Sequence, residues 1–227
     1  MIAANNGQLE EVRDLIEAKA DINLADKYGQ TALIYASFGG YLDVVEFLLK
    51  NEADLNAQTK FGQTALMKAA FTNSHHIISA LVTSKADVDL QAADGRSALM
   101  IAGMSNNLKV VEFLHDSGAA NVNAQDNNGM TAAMLAAENG CLMVVTYLAK
   151  IGANMHIKDL QGRSLFDIVD KTSGQSQAAT RKKLEQAVAK GIRMAKEAEA
   201  TREAEEAEAE RERELERERE REAQLAN

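Results

Sequence analysis

The chain has 227 residues and a formal net charge of −9. Hydrophobic residues make up 46% but aromatics only 4%, so a sizeable core of aliphatic and alanine side chains is available. A single cysteine, Cys141, excludes an internal disulfide and favours a reducing compartment, while the acidic balance argues against nucleic acid as a partner. No apolar run of about 18 residues exists to span a membrane and no secretory signal is readable, so a cytoplasmic or nuclear protein is expected.

Five glycines recur at almost constant intervals: Gly29, Gly62, Gly95, Gly129 and Gly162, with gaps of 33, 33, 34 and 33. Such a period means stacked copies of one small unit, an architecture that offers an extended surface and no natural chemical pocket. The first unit, 1–25, opens inside its first helix at Met1-Ile2-Ala3-Ala4. This leaves the N-terminal face of the stack thinly covered, as in a piece of something longer. Gly7 stops that helix, Val12 and Leu15 mark a second helix, and Ala20-Asp21 closes the unit.

Four full units follow at 26–58, 59–91, 92–125 and 126–158. Two residues after each glycine stands Thr31, Thr64, Ser97, Thr131 or Ser164, a hydroxyl placed to cap a helix N-terminus. Leu33, Leu66, Leu99, Ala133 and Phe166 come next. They are followed three residues on by Ala36, Ala69, Ala102, Ala136 and Val169, the stripe of a short helix with one apolar face. Gly40, Asn73, Asn106 and Gly140 tolerate the left-handed conformation that ends helices. A second helix then carries Val45, Ile78, Val111 and Val145, with Leu48, Leu81, Leu114 and Leu148 three residues later. Ala53-Asp54, Ala86-Asp87 and Ala153-Asn154 close the copies. The unit 59–91 departs at His75, where its siblings have Leu42, Leu108 and Leu142, and is expected to be locally weaker.

The last unit, 159–192, runs from Ser164-Leu165-Phe166 into a polar loop, Lys171 to Gln177. Leu184 and Val188, at i, i+4 within Ala178 to Ala189, are expected to supply a closing helix. The tail, 193–227, is Ala, Glu and Arg. From Ala195 onward 7 Lys or Arg face 13 Glu, a balance of −6 that leaves −3 for the rest. Its helix propensity is high. Favourable pairs such as Glu214–Arg217 and Glu216–Arg219 are offset by like-charge pairs such as Arg213–Arg217 and Glu212–Glu216. No apolar heptad supports a coiled coil. The expected form is a helix extending from the stack on the order of 70 Å and fraying towards Asn227. It serves as either a solvated tail or a partner-docking arm.

Chemistry is scarce. His75, His76, His115 and His156 have no metal-ligand spacing with Cys141 or a carboxylate, and read as surface or part-buried residues. Cys141 starts a second helix, a place that lowers a thiol pKa, but no base accompanies it. No phosphate-binding glycine pattern or hydrolase triad is present, so neither enzyme activity nor a cofactor is expected.

The run Asp26-Lys27-Tyr28-Gly29-Gln30-Thr31-Ala32-Leu33 closely resembles the ankyrin repeat. So do the segment Leu42 to Leu49 and Ala53-Asp54-Leu55-Asn56, and the resemblance covers roughly residues 1 to 170. It implies an all-α solenoid, in which each repeat is a helix-turn-helix with a projecting turn or hairpin finger. First helices line the concave face and second helices the outside. The family's Thr-Pro-Leu-His appears here as Thr31-Ala32-Leu33-Ile34 and its counterparts. The missing histidine ties turn to helix in family members, which puts finger rigidity in doubt. Asn23, Asn56 and Asn123 fall in a column that asparagine hydroxylases modify in similar repeats, and are expected chiefly to bridge loops.

Resemblance also implies contacts at the finger tips and the exposed ends of the first helices. The tips include Lys27, Tyr28 and Gln30, then Lys60, Phe61 and Gln63, then Arg96, with Met130 further on. The helix ends add Phe38, Phe71 and Met104. Of ten aromatics, four (Tyr28, Phe61, Phe38, Phe71) fall at these columns in two adjacent repeats, flanked by Lys27 and Lys60. Exposed aromatics beside cations suit an interface. Alternatively, Phe38 and Phe71 pack on each other and only stiffen the stack. The reading is a non-catalytic adaptor, a monomeric stack unless its tail pairs, that binds a partner protein. The alternative is a structural subunit of a large assembly, such as a cytoskeletal one, with the tail as docking arm.

Overall fold

The computed structural model describes residues 1–118, 120–172 and 177–225. Among them all regular structure is helical, in two layers. The inner layer stacks α1 (Ile2–Asn5), α3 (Ala32–Gly39), α5 (Ala65–Phe71), α7 (Ala98–Met104), α9 (Ala132–Glu138) and α11 (Leu165–Thr172) in order. The outer layer stacks α2 (Leu9–Glu17), α4 (Leu42–Lys50), α6 (His75–Thr83), α8 (Leu108–Asp116), α10 (Leu142–Lys150) and α12 (Gln177–Leu225).

Local chemistry explains why the helices start and stop where they do. The hydroxyls of Thr31, Thr64, Ser97 and Thr131 accept the N–H of Ile34, Met67, Met100 and Met134 at 3.2–3.4 Å. Ser164 and Asp167 cap reciprocally: the Ser164 N–H donates to Asp167 Oδ2 at 2.8 Å and the Asp167 N–H to Ser164 Oγ at 3.4 Å. Inner helices end at left-handed residues, Gly40 (φ 79°), Asn73 (58°), Asn106 (59°) and Gly140 (72°). A second such column, absent from the sequence reading, ends the outer helices at Lys19, Glu52, Lys85, Gly118 and Gly152.

One continuous core runs between the layers. Ala36, Ala69, Ala102 and Ala136 have no exposed surface, and their small size lets the inner helices approach closely. Leu48, Leu81, Leu114 and Leu148 are equally buried in the outer layer, each worth about 1.5–3 kcal/mol. Two expected core positions differ. Leu15 is 48% exposed because no outer helix packs before α2. Phe166 is half-buried, and Leu165, Ile168 and Val169 fill the core instead.

The fingers correct the expectation of loose turns. Asp26 replaces the missing histidine tie: its Oδ1 accepts the N–H of Tyr28 and Gln30, and its Oδ2 accepts the Tyr35 hydroxyl. Thr59, Asp126 and Asp159 hold their own turns in the same way. Each finger also bonds the next through backbone, as in Lys60 N–H to Tyr28 O (2.8 Å), Ala93 to Phe61 (2.9 Å), Asn127 to Asp94 (3.0 Å) and Leu160 to Asn128 (2.9 Å).

Two side-chain ladders reinforce this backbone one. Gln58, Gln91 and Gln125 each donate from Nε2 to the glycine carbonyl of their own finger and to a carbonyl of the following repeat. Asn23, Asn56 and Asn123 accept the N–H of Asp54, Asp87 and Asn154 across the return loops, with Asp89 standing in for the third repeat. The loop-bridging role expected of the asparagine column is therefore present.

The closing segment is more than a cap. Leu184 and Val188 are buried as expected, and α12 packs on α11 and α10. At Gly191 there is no room for a side chain: a Cβ would run into the Thr146 carbonyl, the Ala149 methyl and the Lys150 nitrogen. From Lys196 to Arg213 α12 stands exposed. Arg181–Glu185 (3.1 Å), Arg193–Glu197 (3.3 Å) and Arg202–Glu206 (3.4 Å) pair at i, i+4 along it. The polar loop read at Lys171 to Gln177 lies in part, and the charge pairs that use Glu214, Glu216, Arg217 or Arg219 and the frayed end at Asn227 lie in full, outside the described residues and side chains.

Two stability predictions follow from close approach. At Gly62 (φ 70°) a Cβ would lie 2.7 Å from Ala93 N, whereas at Gly162 (φ 73°) it would meet nothing within 4 Å. Denaturant melts should show Gly162→Ala losing only the backbone contribution, about 1–2 kcal/mol, and Gly62→Ala losing clearly more. Gly191→Ala should lower stability although alanine gains roughly 1 kcal/mol in helix propensity over glycine. A rise in stability would show that α12 is not held against α10.

Candidate functional site: finger tips and the inner-face groove

The exposed surface of the second and third repeats follows from the same local rules. The first two fingers turn their middle residues outward, their first residues, Asp26 and Thr59, being folded back onto backbone N–H groups. Tyr28 is thus 49% exposed and Phe61 66%. The last turn of each inner helix projects Phe38 (47% exposed) and Phe71 (60%).

Cations sit on two of these rings. Lys27 Nζ lies 4.9 Å from the Tyr28 ring centre, and Lys68 Nζ lies 5.5 Å from that of Phe38. Lys60 is exposed at the tip of its finger. No ring pair joins Phe38 to Phe71 among the described residues, so mutual stacking does not account for them.

Nine of the ten residues singled out in the sequence fall into two groups. Lys27, Tyr28, Lys60 and Phe61 share the finger tips. Phe38, Gln63, Phe71, Arg96 and Met104 line one cavity of about 250 Å³ on the inner face, across α3, α5 and α7. Gln30 belongs to neither: its Nε2 donates to the Tyr35 hydroxyl at 3.1 Å, bracing the first finger. Met130 is not a tip residue. It is 5% exposed, its apolar side chain joining the core where Gln30, Gln63 and Arg163, with the same backbone tie, stay partly exposed.

Lys68 was missed. Its Nζ donates to Gln63 Oε1 at 2.6 Å within the groove, and burial pushes its ammonium pKa below the usual lysine value. A signal for it exists. Four residues after each cap stand Tyr35, Lys68, Ile101 and Leu135, a column that passes from aromatic to cationic to aliphatic while its neighbours repeat. Arg96 is shared at longer range, its Nε 3.6 Å from Asp94 Oδ2 and 3.7 Å from the buried Asp126 Oδ2.

The remaining polar candidates are structural in their contacts. His75 packs edge-on against Phe113 of the next repeat. His115 and Asp116 lie within reach of the Tyr147 hydroxyl, whose pKa is pushed up to about 12, chiefly by burial and then by Asp116. Cys141 is buried, and burial pushes its thiol up; the lowering expected of a helix start does not occur. Among the described residues no cluster of three or more His, Cys, Asp or Glu is placed to hold a metal, and no helix is long and apolar enough to cross a membrane.

A family model described as "Ankyrin repeats (3 copies)" matches residues 1–92 and 66–159. Together these spans exceed half of the chain, and the chain belongs to the ankyrin-repeat family. Ankyrin repeats are in general protein–protein interaction modules, and the family is typically non-catalytic. No individual curated protein matches the chain.

The finger ties are titratable in the first and last fingers and not in the second. The Gln30 N–H, helped by the Tyr35 hydroxyl, holds Asp26 below the usual aspartate value of 3.8. Burial pushes Asp159 up, but its hydrogen bonds from Arg163 and Gln161 outweigh it and leave it lowered as well. A depressed folded-state pKa stabilises at pH above 3.8, and that contribution is lost as pH falls through the lowered value. Hydrogen exchange should therefore show the Gln30 and Arg163 amides losing protection on going from about pH 5 to about pH 3. Phe61 and Gln63, tied to the Thr59 hydroxyl, should keep theirs.

Proposed function

We propose that this protein is a non-catalytic adaptor that captures a partner protein on the finger tips and inner face of its second and third repeats. One observation carries the reading: four of its ten aromatics stand exposed on that surface with Lys27 and Lys68 seated against two of them. Large rigid rings beside cations supply contact area at little cost in side-chain entropy. The units of the reading are a partial repeat at 1–25, four repeats to 158, a closing repeat at 159–192 and the tail at 193–227. The last division falls inside the continuous α12, where burial gives way to exposure.

A second reading is a fixed structural subunit of a large assembly, with α12 as its docking arm. The exposed stretch from Lys196 to Arg213 favours it, since a long helix with no cover is suited to lie along a neighbour. The two readings separate by mutation. Tyr28→Ala with Phe61→Ala should abolish partner capture by the immobilised chain while leaving the melting temperature within a few degrees. Capture that survives the double variant but is lost when α12 is cut after Ala195 would favour the assembly subunit.

A further inference from the structure

The groove between α3, α5 and α7 has a specific chemistry, which deepens the adaptor reading and rests on it. Its volume, about 250 Å³, is below the roughly 300–1,000 Å³ of small-molecule sites. It fits one or two side chains of a peptide. Its walls are mixed: Phe38, Phe71, Met67 and Ile101 are apolar, while Lys68, Arg96 and Asp94 bring charge to the same cavity.

Lys68 differs from the other charges nearby. Arg96 already lies between Asp94 and Asp126. Lys68 has Gln63 Oε1 and the Phe38 ring as partners and forms no ion pair among the described residues. Lys27 and Lys60, at the adjacent finger tips, likewise form none. In a chain of net charge −9, Lys60 and Lys68 thus lack an ion-pair partner among the described residues, while Lys27 sits by the Tyr28 ring with Asp26 beside it. A partly desolvated ammonium with only an amide oxygen has lost hydration without gaining a counter-charge. An incoming carboxylate would supply that charge, in a setting where truncating either partner is costly.

We infer that the groove binds a peptide segment in which an Asp or Glu stands beside a bulky apolar residue. The carboxylate meets Lys68 Nζ and displaces Gln63, while the apolar side chain enters between Phe38, Phe71 and Ile101. Lys27 and Lys60 draw further acidic residues of the segment towards the finger tips.

The test is a random dodecapeptide display library panned on the full chain, followed by fluorescence polarisation of the enriched peptides. Enriched sequences should pair an acidic residue with a neighbouring Leu, Ile, Met or Phe. Lys68→Met keeps the apolar stem and should weaken them at least about tenfold. Replacing the peptide's acid by its amide should weaken binding similarly, and the two losses should not add. Lys68→Glu, which melts alongside the wild type if the groove alone is affected, should turn the library's preference towards basic peptides.

Enriched peptides that lack an acid, or that bind Lys68→Met unchanged, overturn the carboxylate assignment and leave the adaptor reading standing. A library that yields nothing counts against both. Self-association of the chain that disappears in Lys68→Met would make the occupant the acidic tail of a second copy, and overturns the peptide assignment.

Discussion

The stack depends on how closely the backbone of one finger approaches the next. Hypothetical Cβ atoms on Gly29, Gly62, Gly95 and Gly129 would each run into the following finger's backbone. The glycine period therefore answers to two demands, a positive φ within the turn and a neighbour at its back. Once the backbones touch, the hydrogen bonds of the three ladders can close, and each repeat sits one fixed step from the last. The two short helices of a repeat cannot hide their apolar stripes alone. At this spacing the stripes of adjacent repeats merge into a single core. The one irregular interval, 34 residues, is absorbed in the return loop after α8, and the hydrogen bond from Asn121 N–H to Asp89 Oδ1 restores the register.

The ends show what happens when that neighbour is missing. Gly162 keeps its left-handed turn with no finger behind it. Leu15 holds the same column as the fully buried Leu48 and is nearly half exposed. At the other end α12 takes the place of the next outer helix and lies closer to α10 than the outer helices lie to one another. Its charge pairs run from Arg to Glu at i, i+4, the weaker order, at a few tenths of a kcal/mol each. Docking at Leu184, Val188 and Gly191 is the stronger anchor of this helix.

Much of the fold was legible because the same local problem recurs in every copy. Thr31 and its siblings announced helix starts, and Gly40 and Asn73 announced stops, since few residue types solve those problems. Lys19, Glu52 and Lys85 were silent, because charged residues do not signal a left-handed conformation even where one is imposed by the return loop. The glutamine ladder left a visible period, Gln58, Gln91 and Gln125, but its partners are backbone carbonyls, which carry no mark in a sequence. The doubt over finger rigidity came from an absent histidine. It was resolved by Asp26 and Thr59, which do the same work from the other end of the turn. Met130 shows the opposite failure: its column is polar and partly exposed in the sibling fingers, while its own apolar side chain joins the core.

Rigidity and specificity are thereby divided between different columns. Caps, glycines, glutamines and asparagines repeat because they serve the stack; a cap acts within its own helix, while the finger glycines, glutamines and asparagines each meet the next repeat. The column of Tyr35, Lys68, Ile101 and Leu135 varies instead: Tyr35 braces its finger, Lys68 lies in the groove, and Ile101 and Leu135 are buried in the core. A frame held by three ladders has already lost its conformational entropy in folding, so a partner that docks on Tyr28, Phe61 or the groove does not bear that cost again. Under the proposed adaptor role, the finger ties therefore serve binding without touching the partner. Tyr35 illustrates the link: its hydroxyl braces Asp26 and receives Gln30, and so fixes the finger from which Tyr28 and Lys27 project.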